Sequence, residues 1–375
     1  MSTLIVRRAT PSADLSALLE LERRIYRGDP VHVPKIELLE RRRLAPSNPF
    51  FQTAELVLFL AERDGAPVGS ISVLRDLGDL AREPGVVFFG FFEVIEDEEV
   101  ARALVEAAEA QAIAWGATEL QGPRDLTRVE YIGLSVDGFD RRPPMLQGTH
   151  RPYYQAFLER AGFKRHHDHY AYESSLVGPD GPAPPPRHLK ELAEACDVPG
   201  VTVRRARWTS IDQDIRGAHE VLNDAFQTVP DVSPMPLATW RTLGYTFLPI
   251  MSTELLQIAH VGAEPVAFAM CIPEINGAQA ALRGRFLPFG WARALAAMRA
   301  ERTAGFKFIG VKQAWRGRGL HAKMVLAIVE GMQRAGYERV DASIVDERNA
   351  PMRAVAERAG MRVWRTYRVY RKHLG

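Results

Sequence analysis

The feature that most constrains the fold is a repeat within the chain. The segment ERAGF at residues 159–163 returns as ERAGM at residues 357–361, a shift of 198 residues. Two further echoes, VRRA and a Pro-Val pair, recur in the same order at shifts of 197 and 198 residues. Independent coincidences would not share one offset and one order. The sequence therefore predicts two tandem copies of one folding unit.

Length and a proline-rich stretch divide the chain between these copies. A chain of 375 residues is longer than one hydrophobic core usually fills, and each half lies within the common range of domain sizes. The segment GPDGPAPPPR can hold neither a helix nor a central strand, which is typical of a stiff linker. We therefore expect a first domain over residues 1–176, a linker with a short helix over 177–199, and a second domain over 200–375.

Each half also shows the same order of predicted elements. An edge strand and helical stretches lead to a two-stranded hairpin, then to an apolar strand that feeds a long helix, and finally to a strand, a helix and a last strand. This order predicts an α/β fold (α+β mixed sheet) with helices on both faces of the sheet.

Two insertions, at residues 124–151 and 276–303, distinguish the copies. Insertions in repeats map to loops, which often lie on the binding face. We expect the second insertion to cover the active-site cleft. Docking to a membrane surface or to an acyl carrier is the alternative.

Charge and cysteine content exclude several classes of function. The formal net charge is only +2, so no charge excess draws the chain to nucleic acid or to a membrane. The basic run ERRRL at residues 40–44 lies among acidic residues and lacks aromatic partners for base stacking, which predicts a solvated helix face. Cys196 and Cys271 have no metal-ligand spacing, which argues against a disulfide framework and a zinc site. Since the sequence shows neither a signal peptide nor an apolar run long enough for a membrane span, we expect a cytoplasmic protein.

The segment RHHDH at residues 165–169 raises the question of a metal site. His167 and His169 would share one face of a strand, but no distant Cys/His group completes a ligand set. We therefore expect a partly exposed strand and no metal.

The stretch with the clearest signs of ligand binding is VKQAWRGRGLHAKMV, residues 311–325. It lies between a predicted apolar strand and a predicted helix. Gly317 and Gly319 remove side chains that would hold a phosphate away, and the helix N-terminus supplies unsatisfied N–H groups and a positive dipole end. Arg316 and Arg318 add positive charge. The segment therefore predicts a turn that binds a pyrophosphate.

The first copy has acidic residues at the corresponding junction, namely Glu96, Asp97, Glu98 and Glu99. These side chains complement the helix dipole themselves and would repel a phosphate. We therefore expect one pyrophosphate site per chain, in the second copy.

The second copy resembles a known family at these residues. Arg316-x-x-Gly319 after a strand, together with DERNAPMRAVAERAGM one strand later, resembles the GCN5-related N-acetyltransferase (GNAT) superfamily, in which Arg/Gln-x-x-Gly-x-Gly/Ala binds the pyrophosphate of coenzyme A. The first copy is similar to the same fold without the loop. The resemblance implies two tandem GNAT-like domains, the first of them degenerate. Several segments also resemble a group of bacterial tandem proteins of this kind, which brings no substrate with it.

The resemblance assigns cofactor contacts residue by residue. Strand amides pair with the pantetheine arm and polarise the thioester carbonyl, the loop holds the pyrophosphate, and an Asn after the next strand bonds the cofactor arm. The implied residues are Ile309, Gly310, Val311, Arg316, Gly317, Arg318, Gly319, Leu320, His321 and Asn349. The chain departs from the family pattern at His321, where Gly or Ala is usual, and at Ala356, where many members carry a Tyr as general acid.

In this superfamily an amine attacks the thioester directly in a ternary complex, so the site must accept one proton and return another to the leaving thiolate. Asp341 and Ser343 share one face of a strand, and Tyr367 and Tyr370 lie in the last strand. These four residues are the candidates for proton transfer. The alternative for each is a packing role.

The resemblance thus implies an acyl-CoA-dependent N-acyltransferase that uses acetyl-CoA or another acyl-CoA as co-substrate and a small-molecule amine as acceptor. We expect Arg128 and Tyr131, in the first insertion, to line the acceptor pocket. Two alternatives stay open. One is a non-catalytic acyl-CoA-binding or regulatory protein, and the other is an N-acyltransferase that takes a long chain from CoA or from an acyl carrier protein. An enlarged apolar tunnel beside the strand at 306–311 would favour the latter.

Overall fold

The structure is a computed structural model, and it describes residues 3–227, 233–282 and 289–375. Contacts divide the chain into two compact units. The first unit comprises Met1–His169, Ile275–Ala300 and Arg365–Gly375, and the second comprises Tyr170–Glu274 and Glu301–Trp364. These units do not follow the order of the chain. The division into 1–176, a linker and 200–375 therefore remains a prediction about the duplicated sequence.

The strands and helices follow the predicted order in both copies. The strands are β1 (Leu4–Ala9), β2 (Ala54–Arg63), β3 (Ala66–Asp76), β4 (Val86–Val94), β5 (Glu119–Gly122), β6 (Leu134–Ser135), β7 (Lys164–Ser175), β8 (Val177–Gly178), β9 (Gly181–Pro182), β10 (Val201–Arg205), β11 (Leu256–Val261), β12 (Glu264–Pro273), β13 (Thr303–Val311), β14 (Arg339–Asp346) and β15 (Arg362–His373). The helices are α1 (Leu15–Ile25), α2 (Glu37–Arg43), α3 (Leu77–Arg82), α4 (Glu98–Ala114), α5 (Tyr153–Arg160), α6 (Arg187–Glu194), α7 (Ile211–Phe226), α8 (Leu237–Phe247), α9 (Asn276–Leu282), α10 (Gly290–Ala300), α11 (Leu320–Arg334) and α12 (Ala350–Arg358). The short helix predicted in the linker is α6.

The two units contain equivalent sheets. The strand order in the first unit is β1-β2-β3-β4-β5-β15, and in the second it is β10-β11-β12-β13-β14-β7. The last place in each sheet is taken by the final strand of the other copy. In the first unit, for example, Tyr370 of β15 lies opposite Gly122 of β5. The predicted mixed sheet and the tandem arrangement are confirmed.

A long helix packs on each sheet through residues spaced four apart. In α4, Val100, Leu104 and Ala108 are fully buried and join one apolar core. In α11, the corresponding core-facing row is Leu320, Met324, Ile328 and Met332. This spacing places one face of each helix against the sheet. In α11, Ala322 and Val325 lie off this row and pack against α6. The helix that begins at the glycine turn is thereby fixed in position.

In both units, the parallel strands beside this helix pair over only a short stretch. Thr303–Gly305 of β13 pair with Arg339–Asp341 of β14, although the two strands continue to Val311 and Asp346. In the first unit, β4 and β5 likewise pair over three residues, ending at Phe88 and Gln121. Each sheet therefore contains a point beyond which the regular ladder stops, although in the first unit the Arg124 amide still donates to the carbonyl oxygen of Phe89 at 2.7 Å.

The described part of the second insertion belongs to the first unit. Asn276 in α9 donates a hydrogen bond to the carbonyl oxygen of Pro143 at 2.9 Å, and α9 and α10 pack around the buried side chain of Ile36. Residues 283–288 of this insertion lie outside the described residues. Within the described ranges, no helix is both long and apolar enough for a membrane crossing.

The packing of α4 makes a stability prediction. Leu104 is fully buried in the first core, so Leu104→Ala should lower the free energy of unfolding by about 2–5 kcal/mol through lost burial and a residual cavity. Ile113 lies on the same helix and is 59% exposed, and Ile113→Ala should change that free energy by less than about 0.5 kcal/mol. Chemical denaturation of both variants tests this. Equal effects would contradict the assignment of the buried face.

Candidate functional site

The glycine-rich turn lies between β13 and α11, as the sequence predicts. Gly317 and Gly319 both have left-handed backbones, with φ of 76° and 77°. Gly319 is also the N-cap of α11, and a Cβ atom there would lie 2.6 Å from the carbonyl oxygen of Leu192. The amide of Asp197 donates a hydrogen bond to the carbonyl oxygen of Arg318 at 3.1 Å. Conformation and close approach thus both require glycine at 319.

The two arginines of the turn have different surroundings. The Nε atom of Arg316 donates to the carbonyl oxygen of Val311 at 3.3 Å, and its guanidinium also donates to the carbonyl oxygen of Ala225. Arg316 therefore ties the turn to β13 and α7. Arg318 is exposed, with its guanidinium 5.5 Å from the centre of the Trp315 ring. Its charge faces solvent beside the start of α11.

A cavity of about 460 Å³ lies against this turn. Its wall includes residues from β13, from the turn and from the beginning of α12. The lining residues predicted from sequence are Ile309, Gly310, Val311, Arg316, Gly317, Leu320, His321 and Asn349. Arg318 and Gly319 do not line it. The structure thus brings together most of the predicted cofactor-binding residues.

His321 and Asn349 each have a defined state in this wall. His321 is half-buried, and burial lowers the pKa of its imidazole, which is therefore neutral at pH 7. The Asn349 side chain caps α12 by accepting a hydrogen bond from the amide of Met352 at 3.3 Å. One residue thus adds a neutral ring to the cavity wall, and the other fixes the helix that forms its far side.

A second cavity of about 260 Å³ shares Val325, Met352 and Val355 with the first one. Its walls are almost wholly apolar. They include Phe306, Leu326, Ile328, Val329, Met332, Val340, Ala342, Val345, Ala356, Ala359 and Met361, and the linker residues Ala183, Pro184, Pro185 and Pro186. The sequence signal for this cavity is Ala356, because the small side chain stands where many relatives carry a Tyr ring.

The proton-transfer candidate Asp341 belongs to a buried polar network. Its carboxylate accepts hydrogen bonds from the Ser343 hydroxyl and, at 2.8 Å, from the Trp364 indole. The Lys307 ammonium donates to the Ser343 hydroxyl at 3.0 Å. Burial raises the pKa of Asp341, although Lys307 and these hydrogen bonds oppose the shift. Sequence reasoning missed Lys307, and the available signal was a charged residue within an otherwise apolar strand.

Tyr367 and Tyr370 lie in the first unit, whereas the turn lies in the second. Both rings are fully buried. Tyr367 lies opposite Ser135 in the sheet, and the Tyr370 hydroxyl donates to Glu159 at 3.4 Å. Neither ring lines the cavity beside the turn. Their proton-transfer role remains a prediction, and the contacts described favour the alternative of packing.

The first unit keeps an acidic helix start at the equivalent place. Asp97 caps α4 by accepting from the amides of Glu99 and Val100 at 3.0 and 3.3 Å. Its carboxylate also pairs with Arg63 at 2.6 Å. A carboxylate thus already occupies this helix N-terminus, and the expected lack of a pyrophosphate site in the first copy remains a prediction.

The first unit contains its own polar cavity. Tyr131 lines it together with Glu22, Lys35, Glu93, Asp125, Gln147 and His150. Arg128 does not line it, because its side chain pairs with Asp79 at 3.1 Å. Of the two predicted acceptor residues, the structure thus brings only Tyr131 to the cavity wall.

Two charged segments are exposed at some positions and buried at others. In the run predicted to be a solvated helix face, Arg41 and Arg42 are exposed, but Arg43 is 11% exposed and pairs with Glu40, Asp125 and Glu130. The strand at 165–169 is partly exposed, as predicted, because Arg165 is exposed while the last three positions are buried. Asp168 is accommodated there because it pairs with Arg165 and Arg368. In both places, long-range ion pairs permit the burial of charge, and a single segment does not reveal such partners.

The sequences of known proteins agree with this architecture. A family model described as the acetyltransferase (GNAT) family matches residues 239–361. The chain is 32% identical over 373 residues to "Bacterial ceramide synthase" of Caulobacter vibrioides (strain NA1000 / CB15N), covering 96% of this chain and 95% of that protein. It is 27% identical to "Protein YghO" of Escherichia coli (strain K12), covering 99% of this chain and 95% of that protein.

Solved structures agree with the fold over the full length. A tandem GNAT protein from the clavulanic acid biosynthesis pathway superposes with a TM-score of 0.56 at 15% identity, covering 100% of this chain and 99% of that chain. A GCN5-related N-acetyltransferase from Sphaerobacter thermophilus gives a TM-score of 0.53 at 17% identity, covering 99% and 96% of the two chains. The chain therefore belongs to the GNAT family of acyltransferases, in its tandem-domain form.

Proposed function

We propose that the protein is an N-acyltransferase that transfers a long acyl chain from coenzyme A to a small-molecule amine. The observation that carries this proposal is the pair of cavities in the second unit. One lies beside the glycine turn, and the other is apolar and shares Val325, Met352 and Val355 with it. In an acyl-CoA thioester the pyrophosphate would lie at the turn and the acyl chain would extend into the second cavity.

In this proposal the turn holds the pyrophosphate of coenzyme A. The Ala322 and Lys323 amides donate to the carbonyl oxygen of Gly319. Leu320 and His321 therefore supply the amides that would face an anion, and the helix dipole favours an anion there. Exposed Arg318 adds charge, while neutral His321 adds none. Ile309, Gly310 and Val311 supply the strand that pairs with the pantetheine arm, and Asn349 lies on the opposite wall.

The acyl chain then occupies the apolar cavity. Ala356 is buried in its wall, packed with Tyr172, Ala342 and Val345. A larger ring at this position would reduce the space available to a chain. Burial of each methylene group contributes about 0.8 kcal/mol to binding, so a site of this kind favours long donors over acetyl-CoA.

The chemistry of transfer needs a proton acceptor. The amine nitrogen attacks the thioester carbon, a C–N bond forms, the C–S bond breaks, and coenzyme A leaves as a thiolate. We propose that the buried network of Ser343 and Asp341 accepts the amine proton. Ser343 accepts a hydrogen bond from Lys307 and donates one to Asp341, which also accepts one from Trp364, and neither residue lines the two cavities. Coenzyme A thiolate then takes a proton from solvent.

The acceptor is proposed from the chemistry that a relative's name implies. The chain is 32% identical to a protein named bacterial ceramide synthase, and a ceramide is the N-acyl derivative of a long-chain amino alcohol. We therefore propose a long-chain amino alcohol as acceptor, with Tyr131 among the residues that contact it. A direct role for Arg128 is a weaker part of this proposal because its guanidinium is engaged by Asp79.

The first test of function is turnover. Palmitoyl-CoA and a long-chain amino alcohol should yield the amide and one equivalent of free coenzyme A thiol, detected by mass spectrometry and by a thiol reagent. Acetyl-CoA should react more slowly. If palmitoyl-CoA binds but a panel of amines gives no amide, the alternative of a non-catalytic acyl-CoA-binding protein is supported instead.

The turn makes a binding prediction. Arg318→Glu reverses an exposed charge beside the proposed pyrophosphate, and it should weaken coenzyme A binding about tenfold, equivalent to roughly 1.4 kcal/mol. High salt should reduce this difference. Calorimetry should give one site per chain for the wild type. Arg216→Glu, on the surface of α7, is the matched control and should bind normally. A stoichiometry of two would contradict the assignment to the second unit.

Gly319 is the less suitable position for this test. Any side chain there would meet the Leu192 carbonyl oxygen, and the left-handed backbone adds strain. Loss of binding in a Gly319 variant would therefore not separate the phosphate contact from a displaced helix.

The apolar cavity makes a prediction about chain length. Ala356→Phe places a ring in the cavity, so kcat/KM with palmitoyl-CoA should fall at least tenfold while kcat/KM with acetyl-CoA stays within about twofold. Ala350→Phe, at the exposed start of the same helix, is the control and should leave both values unchanged. A parallel loss with both donors would instead indicate general damage to the site.

A further inference from the structure

The polar cavity of the first unit is formed by several elements of that unit. It is lined by the end of β4, by the segment after β5, by the first insertion and by α9. The residues that supply its polar groups are Glu22, His32, Lys35, Glu93, Asp125, Tyr131, Gln147, Thr149, His150, Asn276 and Gln279. Neither its charge nor its position is explained by the cofactor site in the second unit.

This cavity occupies the strand cleft of the first copy. β4 and β5 pair only as far as Phe88 and Gln121, and the cavity is lined by Phe91, Glu93 and Asp125, which follow that point. β4 is the equivalent of β13, whose last residues line the cavity beside the glycine turn. The first copy thus retains a cleft although it lacks the turn.

Three carboxylates line the cavity, and they are held by different partners. Glu93 accepts hydrogen bonds from the hydroxyls of Tyr26 and Tyr154, at 3.0 and 2.7 Å. Glu22 accepts from the backbone amide of Lys35 at 3.2 Å. Asp125 accepts from the amide of Phe91 at 2.8 Å, and its other oxygen pairs with Arg43. Glu93 thus accepts its hydrogen bonds from two neutral hydroxyl groups, whereas Asp125 pairs with a cation.

The electrostatic potential in the cavity favours a positively charged group. The Lys35 ammonium lies 5.4 Å from the Phe91 ring centre and 6.0 Å from that of Tyr131. Burial lowers the pKa of Lys35, but the surrounding carboxylates, led by Asp125 and Glu22, outweigh this and raise the pKa above its ordinary value. His150 does not compete as a cation, because burial lowers its pKa to about 3.

The cavity wall contains a hydrogen-bond acceptor that has no donor among the described residues. Gln147 is 5% exposed and lines the cavity, and its Oε1 atom has no hydrogen-bond partner among the described residues. The hydroxyl oxygen of Thr149 is also unpaired there. A buried carbonyl oxygen without a donor costs about 1–3 kcal/mol, so a ligand with N–H donors would offset this cost.

We infer that this cavity binds the protonated amine of a small molecule, with Glu93 as the ion-pair partner and Gln147 as a hydrogen-bond acceptor. An ammonium group supplies three donors and one positive charge, which matches an unpaired amide oxygen beside carboxylates. This inference goes beyond the proposed function, because the cavity has a volume of only about 40 Å³ and lies within the first unit, whereas the glycine turn lies in the second. The binding itself requires no acyl-CoA.

Binding of an ammonium group has a measurable consequence for protons. Burial raises the pKa of Glu93 to about 7, while Lys35 and the hydroxyls of Tyr154 and Tyr26 oppose the shift and Glu22 adds to it. At pH 7 the carboxyl is therefore about half protonated. An ammonium ligand binds the carboxylate form, so binding should release about half a proton, and affinity should rise between pH 6 and pH 8.

The test uses ethanolamine as the probe and ethylene glycol as its uncharged counterpart. Calorimetry of the full chain at pH 7, in two buffers of different ionisation enthalpy, should detect ethanolamine binding with release of about half a proton. Ethylene glycol should bind at least tenfold more weakly. If the two probes bind equally, or if ethanolamine does not bind, the inference is wrong.

Two variants locate the binding. Glu93→Gln should weaken ethanolamine binding at least tenfold and abolish proton release. Glu119→Gln changes another buried carboxylate of the first unit that does not line the cavity, so it should alter neither property. If Glu93→Gln does not fold, Gln147→Leu should still weaken binding about threefold or more while leaving proton release unchanged. Wild-type binding in the folded variants contradicts the inference.

These measurements contain no thioester, so they separate the two proposals. Ethanolamine binding without any acyl transfer would contradict the proposed function alone. Acyl transfer without ethanolamine binding at this cavity would contradict this inference alone.

Discussion

The rest of the structure depends on the point at which two parallel strands stop pairing. Beyond Gly305 and Asp341, the backbone groups that face the gap between β13 and β14 are no longer consumed by that ladder, and a cleft opens beside the N-terminus of α11. A pantetheine arm can satisfy such groups as a third strand would. The apolar row of α11 holds the helix on the sheet, so the glycine turn has a fixed distance from the cleft. The packing of α11, the divergence of β13 and β14 and the polarity of the helix therefore act together to form this cleft.

The same cleft carries opposite electrostatic character in the two copies. In the second, the helix start is left to a glycine cap with an exposed arginine beside it, whereas in the first Asp97 occupies the cap. Each apolar central strand also carries one charged residue, Lys307 in β13 and Glu93 in β4, and each of these is held by hydroxyl groups. Duplication followed by a few substitutions at the helix start and in the strand would account for this division.

Local patterns explain what could be predicted. The four-residue spacing of α11 and the glycine turn depend on residues that are close in sequence, and the repeat can be seen directly in the sequence. Each feature lies where the sequence predicts it. The apolar cavity required long-range knowledge, because Ala356 faces a wall built from the linker and from α11. Burial of Arg43 and Asp168 escaped prediction because their partners are distant in sequence. The predicted role of Tyr367 rests on residue type alone, and residue type carries no information about the unit in which a final strand lies.

The exchange of final strands has a consequence for how this chain can evolve. Because β7 completes the sheet of the second unit and β15 completes that of the first, neither copy contains all of the strands of its own sheet. A gene fragment that encoded one copy would leave β5 or β14 as an unpaired edge strand, and such edges promote association with other chains. The two copies must therefore be inherited, shuffled and lost together. Duplication created two clefts, but because of the strand exchange neither copy can be lost without leaving the sheet of the other incomplete.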